Sequence, residues 1–276
     1  MNWIKGYKDW NVNETTSWSA DDRKYWKKAQ EMENTLRYDI NQINPSLTED
    51  DLDKILKEYF SWDRTFRRED VGYLLALHPN LSMQNILSLS KNMETWIRSG
   101  IAQNQSTPVE LLKELAKDEI INVRNGVAVN PNTPHDILLR FSDPNESPWE
   151  TRAAVAKNPG APIEIYMRLA KDIDKVINHL VENPWVPSEA LELIDYNRMR
   201  GDALWYISMH PNVPISKLIK LKREVDETIR DRADKKLNKL KKDPIIKKKI
   251  EELEALLDLG IDSSGLDPLN LDDLDI

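Results

Sequence analysis

The chain has 276 residues, of which 40% are hydrophobic and 31% charged, with a formal net charge of −8 and no cysteine. This composition is typical of a helix-rich folded protein with a sizeable core, and the lack of cysteine excludes disulfides, thiol catalysis and thiolate-bound metal clusters. No apolar run approaches the roughly 18 residues of a membrane span, and the first residues lack the pattern of a signal peptide. We therefore expect an intracellular, cytoplasmic protein with no membrane contact.

Residues 1–65 are predicted to form a helical, aromatic-rich N-terminal cap. Two helices are expected here, with Ser19 and Thr48 at their N-caps and Asp22 as the acid three residues after Ser19. These aromatic residues either cover the first repeat or form a platform for bases, sugars or a partner's anchor residue. Six of them fall within the first 26 residues: Trp3, Tyr7, Trp10, Trp18, Tyr25 and Trp26.

A pattern recurs six times within residues 66–222. Each copy has an apolar residue seven positions and another three positions before an anchor residue, so both lie on one face of a helix that ends at the anchor. A fixed period of this length indicates a solenoid. The anchors, spaced 26, 26, 28, 25 and 27 residues apart, are His78, Asn104, Asn130, Asn158, Asn183 and His210.

A second helix of about 11 residues is predicted after each anchor turn. Thr107 fits its N-cap, Pro108 its first position and Glu110 its third, and Thr133 with Pro134 repeats the signal. The apolar stripe of so short a helix cannot be buried by one unit alone, whereas stacked neighbours can bury it. Repetition of the unit therefore has a physical reason.

The segments VRNGVAVNPNTPHDILLRFSD and TRAAVAKNPGAPIEIYMRLAKD resemble the variant leucine-rich repeat family, and WIRSGIAQNQSTPVELLKELAKD is nearly as similar. The resemblance covers about residues 71–222. It implies an all-α, right-handed α-solenoid of about six two-helix repeats of about 26 residues, with no sheet and with one helix short and of α or 3₁₀ type. We expect helical caps at both ends. The resemblance implies no activity, and the cysteine cluster by which some members resemble iron–sulfur proteins is missing.

The anchor side chains are predicted to have a structural role. Asn bonds backbone groups two residues further along in turns of this kind. We expect His78 and His210 to do the same, so that the six anchors form a ladder along the stack. The two histidines are separated by several repeats and no HExxH is present, so no metal site is expected.

Three arginines, Arg98, Arg124 and Arg152, stand six residues before their anchors. Because packed helices lie about 8–10 Å apart, the guanidinium groups can line up to bind an acidic peptide or phosphate. Alternatively, each pairs locally with a carboxylate such as Asp118 or Asp172 and ties two helices together. Trp185, in the turn NPWVP, is interpreted as a surface contact for a partner.

Residues 223–260 are predicted to be a basic helical segment, interrupted at Asp243-Pro244 and ending near Leu259. Residues 217–249 contain 14 Lys and Arg against 6 Asp and Glu. This face is a solvated surface, a site for nucleic-acid phosphates or a partner for the acidic C-terminal tail; the acidic remainder of the chain does not favour duplex binding. The candidate phosphate ligands are Lys235, Lys236, Lys239, Lys241, Lys242, Lys247 and Lys248.

The tail, residues 261–276, is predicted to be disordered and alternates aliphatic with acidic residues. It either keeps the protein soluble or docks into a groove through Leu271, Leu274 and Ile276. The chain contains no GxxxxGK[ST], GxSxG or GxGxxG motif, and we expect neither an enzyme nor a cofactor. The sequence favours a scaffold or adaptor that binds a protein or peptide; the alternative is a nucleic-acid accessory protein that uses the basic segment.

Overall fold

A computed structural model describes residues 19–39, 42–63, 65, 67–196, 199, 202–224 and 226–259. Across these ranges the protein is helical apart from one short hairpin, which confirms the all-α class. The chain divides into two compact units, Met1–Thr133 and Pro134–Ile276.

The first unit contains seven helices within its described residues. They are α1 (Ala20–Leu36), α2 (Glu49–Ser61), α3 (Glu69–Leu77), α4 (Met83–Leu89), α5 (Thr95–Gln103), α6 (Val109–Leu115) and α7 (Ile121–Val129). Strands β1 (Arg37–Asp39) and β2 (Gln42–Ile43) form an antiparallel hairpin after α1. Helices α1 and α2 pack on α3, α3 contacts α5, and α5 contacts α7.

The predicted starts of α1 and α2 are confirmed. The Ser19 hydroxyl accepts from the Asp22 N–H at 3.1 Å, and the Asp22 carboxylate accepts from the Ser19 N–H at 2.7 Å. Thr48 and Asp51 form the same reciprocal pair at 3.2 and 3.1 Å. Each pair satisfies backbone donors that a helix start would otherwise leave unpaired.

The second unit contains the remaining helices that the structure describes. They are α8 (His135–Phe141), α9 (Trp149–Ala156), α10 (Ile163–Leu169), α11 (Asp174–Val181), α12 (Ser188–Glu192), α13 (Asp202–Met209), α14 (Ile215–Leu221), α15 (Glu227–Leu240) and α16 (Pro244–Asp258). Helix α9 contacts α11, α11 contacts α13, and α15 and α16 pack on α14. The predicted break before Pro244 is confirmed, with Asp243 accepting from the N–H groups of Ile245 and Ile246.

Each anchor directly follows a helix whose predicted apolar positions are buried. In the first unit these are Val71 and Leu75 of α3, and their counterparts Ile97 and Ile101 of α5 are buried as well. The helices approach closely because small residues line their contact. A Cβ added to Gly100 would lie 2.7 Å from the Ala76 Cβ and 2.9 Å from the Tyr73 carbonyl oxygen. A larger side chain at position 100 would force α3 and α5 apart.

The second helices are shorter than predicted. Five of them, α4, α6, α8, α10 and α14, have 7 residues and α12 has 5, against the expected 11 or so. Pro108 and Pro134 are N-caps in extended conformation rather than first helical residues. The prediction of threonine caps was wrong: Thr107 and Thr133 donate to the carbonyls of Ile101 and Val127, both at 2.5 Å. Those carbonyls lie in the last turn of the preceding helix, where intrahelical partners run out.

The predicted turn contact of the anchors is confirmed. The side-chain oxygens of Asn104, Asn130, Asn158 and Asn183 accept from the backbone N–H two residues on, at 2.8–3.1 Å. Nδ1 of His78 and of His210 accepts from the equivalent N–H at 3.2 and 3.1 Å. Both residue types therefore hold the turn in the same way.

The other end of each anchor side chain reaches the preceding part of its unit. The Asn104 Nδ2 donates to the carbonyls of Ala76 and His78, and the Asn130 Nδ2 donates to those of Ala102 and Asn104, all at 2.9 Å. In the second unit, Nδ2 of Asn183 bonds the Ala156 carbonyl at 2.9 Å, and Nε2 of His210 bonds the Asn183 carbonyl at 2.8 Å. Buried anchors thus connect successive turns, which is a structural role.

The two anchor histidines predict a pH dependence of stability. Because Nδ1 accepts an N–H and Nε2 faces a carbonyl, the imidazoles of His78 and His210 are neutral and protonated on Nε2. Burial lowers the pKa of both histidines, and the nearby Lys236 ammonium adds to this at His210. The unfolded chain therefore takes up protons first as pH falls below about 6.5, so stability is complete above that pH and is lost below it.

We expect the free energy of unfolding to fall between pH 7.5 and 5.5 by at most about 1.4 kcal/mol per histidine per pH unit. Urea unfolding at a series of pH values measures this change. The double variant His78→Asn, His210→Asn places the chain's own alternative anchor at both positions and should flatten the profile. An unchanged slope in that variant would contradict the assignment.

Candidate functional site

Two of the three repeat arginines are used inside the fold. Arg98 donates from Nε and Nη2 to the Asp118 carboxylate at 2.8 and 3.1 Å, and Arg152 donates in the same way to Asp172 at 2.6 and 2.8 Å. Each two-point pair joins a first helix to the end of the second helix that follows it. The local pairing predicted as the alternative to a ligand-binding ladder is therefore confirmed for Arg98 and Arg152.

The Asp118 carboxylate shows how strongly it is held. Burial raises its pKa, but hydrogen bonds from the Arg98 side chain and the Ile120 N–H outweigh burial, and the pKa lies below its usual value. Such a carboxylate stays ionised and does not act as an acid or base near neutral pH.

Arg124 differs from the other two arginines. Its Nη1 donates to the carbonyls of Asp118 and Glu119 at 2.7 and 2.9 Å. Among the described residues no carboxylate forms an ion pair with it, and its side chain is half-buried. Arg124 is thus the one member of the predicted set that keeps guanidinium donors for another ligand within the described structure.

Trp185 lies where a surface contact requires it. Its side chain is 67% exposed, and its backbone N–H is fixed by the anchor Asn183. The second unit exposes further aromatic surface on α13. There Trp205 and Tyr206 stack edge to face at 5.1 Å between centroids, and the Arg232 guanidinium lies 4.9 Å from the Trp205 ring. The sequence analysis did not single out this pair.

The candidate phosphate-binding lysines are mostly engaged within the protein. Lys235 pairs with Asp231 at 2.6 Å, Lys241 with Glu254 at 3.3 Å, and the Lys236 amine donates to the His210 carbonyl at 2.8 Å. Lys247 and Lys248 face acids one turn further along α16 at 3.9 Å. Within the described part of the chain only two of the seven, Lys239 and Lys242, are exposed with no such partner.

Several predicted residues lie outside the described residues. These are the tail anchors Leu271, Leu274 and Ile276, and the aromatics Trp3, Tyr7, Trp10 and Trp18. Of the aromatic group, Tyr25 packs against Trp62 with 5.6 Å between ring centroids, and the Arg68 guanidinium lies 4.5 Å from the Trp26 ring. These contacts place both aromatics against the first unit's own helices.

The surface most suited to a partner is one that the sequence analysis missed. On the second helices, the fifth and ninth residues after the anchor lie four apart and therefore share a face. Six apolar side chains at these positions are 37–50% exposed. We call them the open face; it comprises Met83, Leu87 and Val109 in the first unit and Leu139, Ile163 and Met167 in the second.

Polar contacts frame the open face in the second unit. His135 and Glu164 approach to 3.0 Å and link the starts of α8 and α10. Arg168 donates to the Leu139 carbonyl at 3.0 Å and to the Ser142 hydroxyl at 3.1 Å, which links the two helices again. The apolar residues between these contacts are thus held on two helices that are fixed to each other.

Catalytic or metal chemistry has little support in the described ranges, where no cluster of three or more potential metal ligands is found. No helix among the described residues is both long and apolar enough to cross a bilayer. No family model, curated protein or solved structure matches the chain. Its function has to be argued from its own surfaces.

Proposed function

We propose that the protein is a non-catalytic scaffold or adaptor, built as a right-handed α-solenoid of about six repeats of the variant leucine-rich type. In support, first helices contact each other in succession within each unit, and buried anchors bond from one turn to the previous one. Helices α1 and α2 act as the N-terminal cap, and α15 and α16 as the basic C-terminal segment. The repeats hold a surface in place, and the surface does the work.

The observation that carries this proposal is the open face. Water-exposed aliphatic side chains recur at equivalent positions of the repeat, whereas the remaining outward positions are mainly polar. Exposed apolar patches with a polar rim are typical of protein interaction sites. An enzyme would instead need a concave group of titratable residues, and the repeat carboxylates Asp118 and Asp172 are already paired with arginine.

Replacing Ile163 and Met167 together by Lys is expected to abolish retention of the partner by the immobilised full chain in extracts of its native host. Two charges on α10 would each have to lose water to enter an apolar interface. Ile173→Lys is the matched control, because Ile173 is 45% exposed and Ile163 44%. Quantitative mass spectrometry of the retained proteins provides the readout. An identical set on wild type, double variant and control would refute the proposal.

The basic segment supports a second candidate, a nucleic-acid accessory function, through Lys239 and Lys242. Binding through phosphates would weaken steeply with salt, with a slope set by the number of contacts. Two free lysines allow only a shallow slope, which is why we favour protein binding. The tail is proposed as an additional docking peptide, with Leu271, Leu274 and Ile276 as its anchors.

A further inference from the structure

Helix α14 is the one place in the described chain where the equivalent of the open face is covered. Its fifth and ninth positions after the anchor are Ile215 and Ile219, which are 6% and 1% exposed. The additional elements packed on α14 are α15 and α16. The protein therefore contains its own example of what covers this face.

The covering helices are amphipathic. Helix α15 buries Ile229, Ala233 and Leu237, which repeat every four residues, and α16 buries Ile246, Ile250 and Leu253. The outer face of α15 is basic, with Lys235 and Lys239 exposed. An apolar stripe with basic flanks is thus the chemistry that fits the fifth and ninth positions of a second helix.

The charges beside the open face favour the same kind of occupant. The residue after the fifth position is acidic in four copies: Glu110, Asp136, Glu164 and Glu189. Glu110, Asp136 and Glu164 are exposed. In α14 the equivalent residue is Ser216, and the basic helices already lie there. A row of acids beside exposed aliphatic side chains attracts a basic amphipathic helix and repels an acidic one.

We propose that the open face of α8 and α10 binds a basic amphipathic helix of a partner protein, as α15 and α16 cover α14. This inference rests on the proposed scaffold function and specifies the class of its partner. The partner's apolar residues, three or four apart, would lie on Leu139, Ile163 and Met167, and its basic residues would face Asp136 and Glu164. No catalytic group is needed.

The test uses the full chain and a synthetic peptide of residues 226–242, which has the α15 sequence and carries seven Lys and Arg against four Asp and Glu. We expect saturable binding with a Kd of about 10–100 µM in fluorescence anisotropy, a range typical of a single short helix. The Ile163→Lys, Met167→Lys variant should weaken binding at least tenfold, and so should Leu139→Lys. Ile173→Lys should leave it within about twofold.

A peptide of the same composition in scrambled order, and one with its lysines replaced by Glu, separate amphipathicity from charge. Equal binding of the scrambled peptide, or unchanged affinity in both open-face variants, would overturn the inference. Sedimentation velocity covers the remaining occupant: a wild-type dimer that the double variant dissociates would assign the face to a second copy of this chain and equally reject the partner helix.

Failure of this inference is distinguishable from failure of the scaffold function. If the α15 peptide does not bind but the double variant still loses its retained partner, the face binds a protein of another shape. If the double variant retains the same proteins as wild type, the scaffold proposal itself fails. Circular dichroism of every variant verifies that the helices remain, as expected for substitutions at exposed positions.

Discussion

Val127→Asp is expected to abolish the cooperative unfolding of the first unit and to reduce its helix content. Val127 is fully buried on α7, three residues before its anchor. An unpaired carboxylate in such a core costs about 5 kcal/mol or more, which is comparable to the whole stability of a domain. Ile101→Asp, at the equivalent position of α5, should act in the same way. Thermal melting followed by circular dichroism measures both.

Val109→Asp is the matched control for this prediction. It makes the same exchange in the same unit, but Val109 is exposed and is the first residue of α6. An acid in the first turn of a helix is neutral or slightly stabilising. A Val127→Asp protein with the wild-type melting temperature, or a Val109→Asp protein as damaged as Val127→Asp, would show that the assignment of buried positions is wrong.

Asn130→Ala is expected to destabilise the first unit by about 3 kcal/mol. The substitution leaves the carbonyls of Ala102 and Asn104 without their Asn130 donor, and the Asn132 N–H without its acceptor. Each lost hydrogen bond in a buried setting costs about 1 kcal/mol, and more where the group cannot reach water. Urea unfolding at pH 7.5 measures the change.

Two further variants show whether this cost comes from the ladder. Asn132→Ala removes a single exposed hydrogen bond to the Gln105 carbonyl and should cost about 1 kcal/mol or less. Asn130→His should recover part of the lost stability, because His78 and His210 accept and donate at the same position. Equal losses for Asn130→Ala and Asn132→Ala would remove the anchors from their structural role.

The sequence predicted what depends on contacts close along the chain. The first helices, their buried positions and the anchor turns follow from periodicity, because each copy repeats the same local contacts. Local rules failed where a competing acceptor lay nearby, as when Thr107 bonded the Ile101 carbonyl instead of capping α6. The helix then began after Pro108, one residue later than predicted.

The candidate site was harder to predict because exposure depends on neighbours. Val109 and Ile163 look like core residues in the sequence, and only the packing of the helices leaves them open, whereas Ile219 at an equivalent position is covered. Arginine had the opposite outcome: Arg98 and Arg152 looked available but found carboxylates twenty residues away. A useful signal was an apolar pair four residues apart in addition to the buried stripe.

The most direct measurement of the central claim is site-specific photocrosslinking of the full chain in extracts of its native host. A benzophenone side chain placed at position 163, on the open face, should yield one dominant crosslinked protein, attached through a basic amphipathic helix. The same group at position 173, which is equally exposed, should yield none. Crosslinks that are absent at 163, or equal at 163 and 173, would contradict the account.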